Sequence, residues 1–430
     1  MLFSNIDILD ENLEHRRNCY VGVKDQKIAY IGETVPEEDF GEVYDGTGRL
    51  LMPGFVNAHS HSAMTLMRGY GGGHDLQSWL HDYIFPAEAR LDDRAVAAGA
   101  DLGLAEMIAT GVTCVADMYM RTGVIADRIV KAGLSANLSC GGVYFGATED
   151  FSEDKCNDCR NQRELTEGWH GRNGGQIRVD ASIHAEYTSN APLWWWMADY
   201  AQKHGLRMHV HTSETVSEHQ GSLERNGKTP IQTLNEYGVW ENGGIAAHCV
   251  YTTGEDWALM KDKGVSCVHN PWSNLKLGSG IAPTPAMKLA GVNVALGSDG
   301  MSSHNAADLF SDMKLAACLP CGAGRDPMAM GAWDALEMAT VNGARALGRT
   351  DTGVIAPGYL ADLILVDFSA PNLTPCHDPA ESLVYSARPD NVVMNMARGQ
   401  VIYENGVFLT IDLDRVRGEV ENYALPLLFG

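Results

Sequence analysis

The sequence predicts an α/β fold, a distorted (β/α)8 TIM barrel with a small β-sandwich domain built from both termini. Between about residues 53 and 350, short strand-like runs alternate with longer helix-like segments. Both ends of the chain instead carry strand-like runs separated by turn residues. Histidines and acidic residues follow the apolar runs of the middle, where barrel enzymes place their chemistry. We divide the chain into 1–52 (sandwich, first part), 53–352 (barrel) and 353–430 (sandwich, second part).

The two ends have the same character. Near the N-terminus the strand-like runs are NIDIL, CYVGV, KIAYIG and DGTGRLLMPG, and near the C-terminus they lie within GVIAPGYLADLILVD and NVVMNMARGQVIYENGVFL. Two β-rich ends around a different middle predict one small domain assembled from both termini.

The middle of the chain contains eight strand-like runs, which are GFVNAH, GVTCVADM, LSANLSCGGV, IRVDASIH, LRMHVHT, GGIAAHCV, GVSCVHN and GVNVALGSD. Segments such as DDRAVAAGADLGLAEMIATG and PLWWWMADYAQKHG have helical periodicity. Eight strands alternating with helices are what a closed parallel barrel requires. An open doubly wound sheet is the competitor, but no G-x-G-x-x-G turn follows the first strand. The polar stretch 145–173 is expected to be an irregular, mobile excursion near the barrel mouth or on the surface.

Composition narrows the function classes. The chain has 430 residues, 45% of them hydrophobic, with 32 basic and 55 acidic side chains and a net charge of −23. Such an acidic chain is not expected to bind nucleic acid or an anionic membrane, because phosphate contacts need Lys and Arg. The sequence has no apolar run of about 20 residues, so no membrane-spanning helix is predicted. No secretory signal is apparent. Ten cysteines, most of them in apolar runs, suit reduced thiols in a cytoplasmic protein.

The first candidate metal ligands are His59 and His61 in PGFVNAHSH. Alternate side chains of a strand share one face, so an H-x-H pair points two imidazoles the same way. A satisfied polar histidine is the bland alternative. The position at a strand end favours metal ligands.

The run HVHTSE adds His211 and Glu214. His209 and His211 share a face, but His211 is nearer the strand end, so we assign it as a ligand and His209 as a supporting or interior residue. Glu214 is either a carboxylate at a helix start or, beside the ligand, a proton-transfer group. We favour the second interpretation.

Two further residues end strand-like runs. His248 in GGIAAHCV is either a fourth ligand or the group that orients the attacking water, and the residues themselves do not separate these alternatives. Asp299 in LGSDG ends the eighth run, where a carboxylate can touch the ion and take the proton of the water. A helix cap is the competing interpretation of Asp299.

These segments resemble the amidohydrolase superfamily, in the branch of nucleoside and heterocycle deaminases that includes 5′-methylthioadenosine/S-adenosylhomocysteine deaminases and triazine hydrolases. The matching residues run through nearly the whole chain and are PGFVNAHSHSAMTLMRGY, Trp79 with FPAEARL, SIHAEYTS, HVHTSET, AAHCVY, HNPWSNLKLGSGIAP, LGSDG and PGYLADLILVD.

The resemblance implies roles for the individual residues. The metal ligands would be His59, His61, His211 and Asp299, with His248 beside the attacking water and Glu214 protonating the ring nitrogen. Glu88 would hold the ribose hydroxyls, His184 would contact the nucleoside and Trp79 would line the pocket. The bland alternatives are a surface carboxylate for Glu88, an interior histidine for His184 and a core aromatic for Trp79.

The chain also departs from the family pattern. Members that take S-adenosylhomocysteine commonly carry two arginines after the third strand, but the first of those positions reads Ser-Cys-Gly (139–141) here. Arg160 and Arg163 are the candidates for the second. A bidentate grip on a carboxylate needs a guanidinium, so an adenosine with a small, uncharged 5′ group is the better prediction. His304 stands where small or amide residues are usual.

Other short motifs give weaker evidence for a metal site than the residues above. His184-Ala-Glu186 resembles the H-x-E of another zinc deaminase class, but that class also needs P-C-x-x-C. Cys318 and Cys321 lack the preceding proline, and Cys156 and Cys159 are a single pair in a polar stretch.

The sequence therefore predicts hydrolytic deamination of an adenosine-type nucleoside at the purine C6. The cofactor is expected to be one Zn²⁺, although Fe²⁺ and Mn²⁺ suit the same ligands. Asp299 would take the proton of the water, His248 would hold the water toward the ring, and Glu214 would donate to ring N1. The alternatives are an aminohydrolase for guanine, cytosine, a pterin or a triazine, and a non-catalytic scaffold. A small nucleoside is the expected partner, and a homo-oligomer is compatible with the family.

Overall fold

The computed structural model describes residues 1–430 as a mixed α/β structure with 19 strands and 18 α-helices. The strands are β1 (Leu2–Leu9), β2 (His15–Lys24), β3 (Lys27–Gly32), β4 (Val43–Asp45), β5 (Arg49–Pro53), β6 (Phe55–His61), β7 (Val112–Met118), β8 (Ser135–Ser139), β9 (Ile177–Val179), β10 (Ala181–Ala185), β11 (Met208–Thr212), β12 (Gly244–His248), β13 (Val265–His269), β14 (Val294–Leu296), β15 (Asp299–Gly300), β16 (Leu363–Asp367), β17 (Val392–Ala397), β18 (Gln400–Glu404) and β19 (Val407–Phe408).

The helices range from a single turn to five turns. They are α1 (Leu76–Trp79), α2 (Phe85–Glu88), α3 (Asp93–Ala109), α4 (Thr122–Ala132), α5 (Asn157–Trp169), α6 (Arg172–Gly175), α7 (Ala191–His204), α8 (Val216–Asn226), α9 (Pro230–Glu236), α10 (Gly254–Lys263), α11 (Pro271–Lys276), α12 (Thr284–Ala290), α13 (Leu309–Gly324), α14 (Ala332–Ala339), α15 (Val341–Ala346), α16 (Pro379–Glu381), α17 (Leu413–Glu419) and α18 (Leu425–Phe429). No helix is both long enough and apolar enough to cross a membrane.

Strands from both ends of the chain form one nine-stranded sheet. Its order is β19-β18-β17-β16-β5-β1-β2-β3, and β4 pairs with β1. The N-terminal and C-terminal strands meet where β5 pairs antiparallel with β16. The side chains buried against this sheet include Phe3, Ile6, Val21, Leu363 and Met394. Strand pairing joins all nine strands edge to edge and does not divide them into the two packed sheets of a sandwich.

The middle of the chain forms two five-stranded sheets, β15-β6-β7-β8-β9 and β10-β11-β12-β13-β14. All pairs in both sheets are parallel. Each of the eight strand-like runs of the sequence contains a strand, and IRVDASIH contains two, which divide at Asp180. Most strand residues of the two sheets are buried on both faces, as expected for parallel sheets covered by helices.

The stretch 145–173 differs from its prediction as an irregular excursion. Residues Asn157–Trp169 form helix α5. The helix buries Cys159, Gln162, Leu165 and Thr166, and most of its other residues are partly or fully exposed. Polar residues dominate this segment and its apolar stripe is narrow, so the sequence pattern is typical of a loop. Tertiary packing of the apolar stripe stabilises the helix.

Candidate active site

Histidines from three strands meet one aspartate at the carboxyl ends of the parallel strands. The ligand atoms of His59, His211, His248 and Asp299 all lie within 4.8 Å of one another. His61 joins them, because its Nε2 lies 3.2 Å from Asp299 Oδ1 and 3.3 Å from His211 Nε2. The structure thus brings together residues that are up to 240 positions apart in the sequence.

Each imidazole is oriented through its Nδ1 atom, so the Nε2 atoms face the centre of the cluster. The Nδ1 partners are His209 Nε2 for His59 (2.8 Å), Met118 O for His61, His184 O for His211 (2.7 Å) and Asn274 Oδ1 for His248 (2.8 Å). His209 is fixed in turn by Ser139 Oγ at 3.1 Å. Such partners fix ring orientation in metal sites.

The Nε2 atom of His59 is the clearest sign that the donor atoms of the cluster suit a cation. It is buried without a hydrogen-bond partner and lies 3.3 Å from Asp299 Oδ1. Buried polar atoms are rarely left unpaired. A divalent cation accepts electron pairs from imidazole nitrogens and a carboxylate oxygen, so this donor set fits one.

Asp299 presents one carboxylate oxygen to the cluster. Its Oδ2 accepts hydrogen bonds from Ser273 Oγ (2.6 Å) and Ser303 Oγ (2.9 Å), which leaves Oδ1 toward the imidazoles of His59 and His61. Asp299 does not act as a helix cap, since helix α13 is capped by Asp308. Its backbone is in the left-handed region (φ 60°), a conformation that is uncommon outside glycine and often marks functional sites.

Burial and charge set the protonation of the cluster. Burial lowers the pKa of His59 to about 3, so this ring is neutral at physiological pH, as a metal ligand must be. Burial alone would lower the pKa of His61, but Asp299 raises it to about 9. Burial alone would raise the pKa of Asp299, but the nearby imidazoles of His59 and His61 hold it well below the ordinary value. The carboxylate charge that attracts a proton to His61 also attracts a cation.

Glu214 lies beside the cluster as a buried carboxyl group. Its Oε2 is 3.8 Å from His248 Nε2. Burial raises the pKa of Glu214, and His248 and Asp299 act on it with opposite signs. The backbone around Glu214 is held by Glu218, whose carboxylate accepts the N–H groups of Ser213 (2.8 Å) and Glu214 (2.7 Å). A buried acid with a raised pKa is suited to proton donation near neutral pH.

His248 lies among the ligand atoms and also faces Glu214, so the geometry accommodates both interpretations of this residue. Its ring is anchored by Asn274, and its backbone adopts a left-handed conformation (φ 73°).

The cluster opens into a cavity of about 480 Å³, within the usual range for a small-molecule site. All three residues predicted to bind substrate, Glu88, His184 and Trp79, are in its lining. Trp79 is buried and its indole N–H donates to Tyr70 O at 3.1 Å. His184 Nδ1 pairs with Thr188 Oγ1 at 3.1 Å, and burial lowers the pKa of His184 to about 4.

Glu88 lines the cavity together with Tyr119. Burial raises the pKa of Glu88 against the lowering effects of Tyr119 and His61. Glu88 ends α2, which continues from α1 through a π-helical turn at Leu80–Ile84. The helical segment therefore carries both Trp79 and Glu88 to the cavity.

Several side chains that support the site were not assigned from the sequence. They are Ser273, Ser303, Asn274, Tyr119, Glu218 and Asp158. Ser273 and Asn274 belong to the segment HNPWSNLKLGSGIAP, so the signal was present. Their partners could not be assigned because the contacts join helix α11 to residues of other elements, Asp299 and His248.

The weaker motifs do not form second sites. Glu186 accepts from Asn226 Nδ2 at 2.8 Å and pairs with Arg225, and it is absent from the residue group able to hold a metal. Cys156 and Cys159 are both buried free thiols. His304 Nε2 pairs with Asp312 Oδ2 at 3.0 Å, and its ring stacks on Trp272.

The chain is similar to known proteins in both sequence and structure. The profile of the amidohydrolase family matches residues 50–402. A 5-methylthioadenosine/S-adenosylhomocysteine deaminase of Caldanaerobacter subterraneus subsp. tengcongensis is 38% identical over 100% of this chain and 99% of its own. A 5′-deoxyadenosine deaminase of Methanothermobacter thermautotrophicus is 39% identical, covering 94% of this chain and 93% of its own. The crystal structure of an adenosine deaminase from Xanthomonas campestris with bound zinc is similar at a TM-score of 0.91 and 30% identity, covering 99% of this chain and 98% of that one.

Proposed function

This chain belongs to the amidohydrolase family, and we propose that it is a metal-dependent deaminase that converts an adenosine-type nucleoside into the inosine analogue and ammonia. The observation that carries the proposal is the buried carboxyl group of Glu214, 3.8 Å from His248 at the metal-binding end of a cavity that also contains Glu88. A proton donor beside a cation site, with a second acid for sugar hydroxyls, suits a nucleoside whose ring amine is replaced by oxygen.

The cation would be held by His59, His61, His211 and Asp299, with His248 next to them. A divalent ion in this position supplies Lewis acidity and lowers the pKa of water. We propose zinc, because imidazole nitrogens and one carboxylate suit it, and the related adenosine deaminase carried zinc. Iron(II) and manganese(II) suit the same donors.

The residues of the chain would carry out four proton transfers. Asp299 accepts a proton from the attacking water through Oδ1, and His248 orients that water through Nε2. Glu214 donates a proton to ring N1, so that the tetrahedral carbon forms without a free negative charge on the ring. The C6–O bond forms in this step. Asp299 then returns its proton to the leaving amine, the C6–N bond breaks and ammonia departs, and the proton of the C6 hydroxyl passes back to Glu214 as the C6=O bond forms.

Substrate contacts follow from the lining of the cavity. Glu88 would accept hydrogen bonds from ribose hydroxyls, since a carboxylate offers several acceptor positions. His184 would contact the nucleoside, and Trp79 would pack against it. A free base would leave Glu88 without hydroxyl partners.

We also propose that the two parallel sheets are the halves of one distorted (β/α)8 barrel. Asp180 N–H donates to Leu138 O (2.9 Å), and His184 N–H donates to Gly142 O (2.9 Å), which links β8 to the strands after it. At the other junction Ser298, which lies between β14 and β15, is hydrogen-bonded to Asn57 of β6. The barrel would span 53–352, with residues 1–52 and 353–430 in the terminal β domain.

Partners and location are proposed on charge and cysteine chemistry. The net charge of −23 supports a small nucleoside over nucleic acid or an anionic membrane as partner. All ten cysteines are free thiols, which supports a reducing compartment such as the cytoplasm. A homo-oligomer is compatible with the proposal.

Deaminase activity on three nucleosides and one free base tests this proposal. Purified, metal-loaded protein is incubated with adenosine, 5′-deoxyadenosine, 5′-methylthioadenosine and guanine, and ammonia release is measured. We expect ammonia from the nucleosides and none from guanine. Turnover of guanine without turnover of any nucleoside would reject the assignment in favour of another heterocycle. Absence of any bound divalent ion would favour a non-catalytic scaffold.

A further inference from the structure

The cavity carries an unusual balance of charged side chains. Four carboxyl groups line it, from Glu88, Asp158, Glu214 and Asp299, but no Lys or Arg does. In the proposed function, Asp299 contacts the cation, Glu214 faces the ring and Glu88 faces the ribose. Asp158 has no role in that scheme, so its charge calls for a different explanation.

Asp158 belongs to a wall of the cavity that neither the metal cluster nor Glu88 occupies. It lies in the first turn of α5, and its Oδ2 accepts the N–H of Val143 at 3.0 Å. Next to it in the lining are residues of the segment that follows β8, namely Cys140, Gly141, Val143 and Phe145. With C6 at the cluster and the ribose at Glu88, as in the proposed function, the 5′ substituent would lie toward this wall.

The Asp158 carboxylate has no cationic partner. Its hydrogen bonds come from Val143 N and, at 3.4 Å, from Asn161 Nδ2, and it forms no ion pair. Burial raises the pKa of Asp158, but a partly buried carboxyl group still ionises in mildly alkaline solution. An unpaired negative charge in a partly buried wall repels anions strongly, because the local dielectric screens it less than water does.

The nearby cations are engaged elsewhere. The Arg160 guanidinium donates to Asn157 Oδ1 at 2.5 Å and is exposed. Arg163 donates to Glu153 Oε2 at 3.2 Å and lies over the ring of Trp196. Neither arginine is in the lining, and no other guanidinium or ammonium is available there to bind a carboxylate or phosphate.

We propose that Asp158 is a specificity-determining residue that excludes adenosines with an anionic 5′ substituent and admits neutral or cationic ones. The inference rests on the proposed nucleoside deaminase function and names its substrate class. The apolar neighbours Val143 and Phe145 suit an alkyl or thioether 5′ group. Asp158 itself provides an acceptor for an ammonium group at the end of a longer substituent.

Matched 5′-thioether adenosines test this inference. They carry a 2-carbamoylethylthio, a 2-carboxyethylthio or a 2-aminoethylthio group, so that the first two have nearly the same shape and differ in charge. Deamination is measured at about pH 8, where the carboxylate and the ammonium are both charged. We expect kcat/KM for the amide to exceed that for the carboxylate by at least about tenfold, with the amine at least equal to the amide.

The variant Asp158→Asn keeps the side-chain oxygen that accepts the Val143 N–H. The ratio of kcat/KM for the amide to kcat/KM for the carboxylate is expected to fall by at least about fivefold in this variant. Its kcat/KM for the amine is expected to fall as well. Asp154→Asn is the matched control, because Asp154 is exposed on the same segment and outside the lining. Asp154→Asn should leave kcat/KM for the amide relative to the carboxylate, and for the amine relative to the amide, unchanged.

The outcomes separate the two proposals. Equal turnover of the amide and the carboxylate by the parent protein, which needs no variant to fold, would overturn the inference while leaving the deaminase function intact. The inference is also overturned if Asp158→Asn shifts the ratio no more than Asp154→Asn does. If none of the three thioethers is deaminated although adenosine is, only the inference is overturned. If no nucleoside of either panel is deaminated, the proposed function itself is wrong and the inference falls with it.

Discussion

At the scale of single residues, the site depends on which atom of each side chain faces inward. The imidazoles of His59, His61, His211 and His248 each use Nδ1 for a protein partner and keep Nε2 for the cluster. Asp299 divides its carboxylate in the same way, with Oδ2 on two serines and Oδ1 inward. A preorganised donor set binds a cation without a further entropy cost for side-chain ordering.

Replacement of Glu214 tests the proton donor. Glu214→Gln keeps the shape of the side chain but removes the proton that ring N1 would receive. We expect kcat for the nucleoside to fall by about 10²–10⁴-fold, the usual contribution of a general acid, with unchanged metal content. Metal analysis and ammonia release are the measurements. Glu224→Gln, at an exposed position of α8, should retain full activity, and a Glu214→Gln protein with parental kcat would exclude the role.

Replacement of Asp299 tests the cation site. Asp299→Asn retains an oxygen toward the imidazoles and loses the charge that attracts the ion. We expect metal affinity to fall by at least about 100-fold, the upper end for residues that only orient ligands, and deaminase activity to fall with it. Metal per chain after dialysis against a chelator measures the first effect. The exposed Asp262→Asn variant is the control, and an Asp299→Asn protein that keeps its metal would contradict the assignment.

At the scale of elements, one tie between strands positions Asp299. The side chain of Asn57, on β6, donates to Ser298 Oγ at 2.8 Å and accepts the N–H of Ser298 at 2.9 Å. Gly297 allows this close approach, because a Cβ there would lie 2.5 Å from Asn270 Oδ1 and 2.8 Å from His59 Cβ. The tie sets the distance between the ligands of β6 and the carboxylate that follows β14.

Loss of that tie should weaken both the fold and the cation site. Asn57→Ala leaves the buried N–H and hydroxyl of Ser298 without these partners, which costs about 1–3 kcal/mol. We expect a lower free energy of unfolding in urea by that amount and weaker metal binding. Asn12→Ala, in an exposed turn, is the control for asparagine removal. An Asn57→Ala protein as stable as the control would show that the tie does not stabilise the junction.

At the scale of the whole molecule, buried polar contacts join distant parts of the chain. Arg349, almost fully buried, donates to Asn137 Oδ1 at 3.0 Å and to the carbonyl of Ala136 at 2.6 Å. Asn137 in turn donates to both oxygens of Asp180. The C-terminal helices reach the site-bearing helices as well, since Arg90 donates to Leu428 O at 2.7 Å. Buried polar contacts therefore join Arg349 and Asp180 to β8, and a separate contact joins helix α18 to the segment after α2.

Asp180 gives this network a pH dependence. Burial raises the pKa of Asp180 from 3.8 to about 6 in the folded protein. A raised folded-state pKa means that the stabilising contribution is present below about pH 4 and is lost as the pH rises through about 6. Asp180→Asn imitates the neutral form, so the variant should match the parent at low pH.

Above about pH 6 the Asp180→Asn variant should exceed the parent in stability by up to about 3 kcal/mol, the free energy that corresponds to this pKa difference. Urea unfolding at several pH values measures the difference between the two proteins. Asp390→Asn, at an exposed position, should show no such trend. A difference that does not grow between about pH 4 and 7 would contradict the prediction.

Much of the molecule follows from local sequence patterns. The eight strand-like runs each contain a strand, and the histidines, Glu214 and Asp299 follow those runs, because strand periodicity and residue chemistry are local properties. Helix α5 was missed because its apolar stripe is narrow and packing stabilises it.

The sequence by itself determined the family, the residue types of the cation site and the strands that carry them, since each depends on neighbours along the chain. The tertiary structure alone decided which imidazole nitrogen faces inward, how Asn57 holds the Asp299 turn, and that Asp158 joins the cavity wall without a cation beside it. Those features are distances and environments between segments far apart in sequence, and they exist only once the strands have packed together.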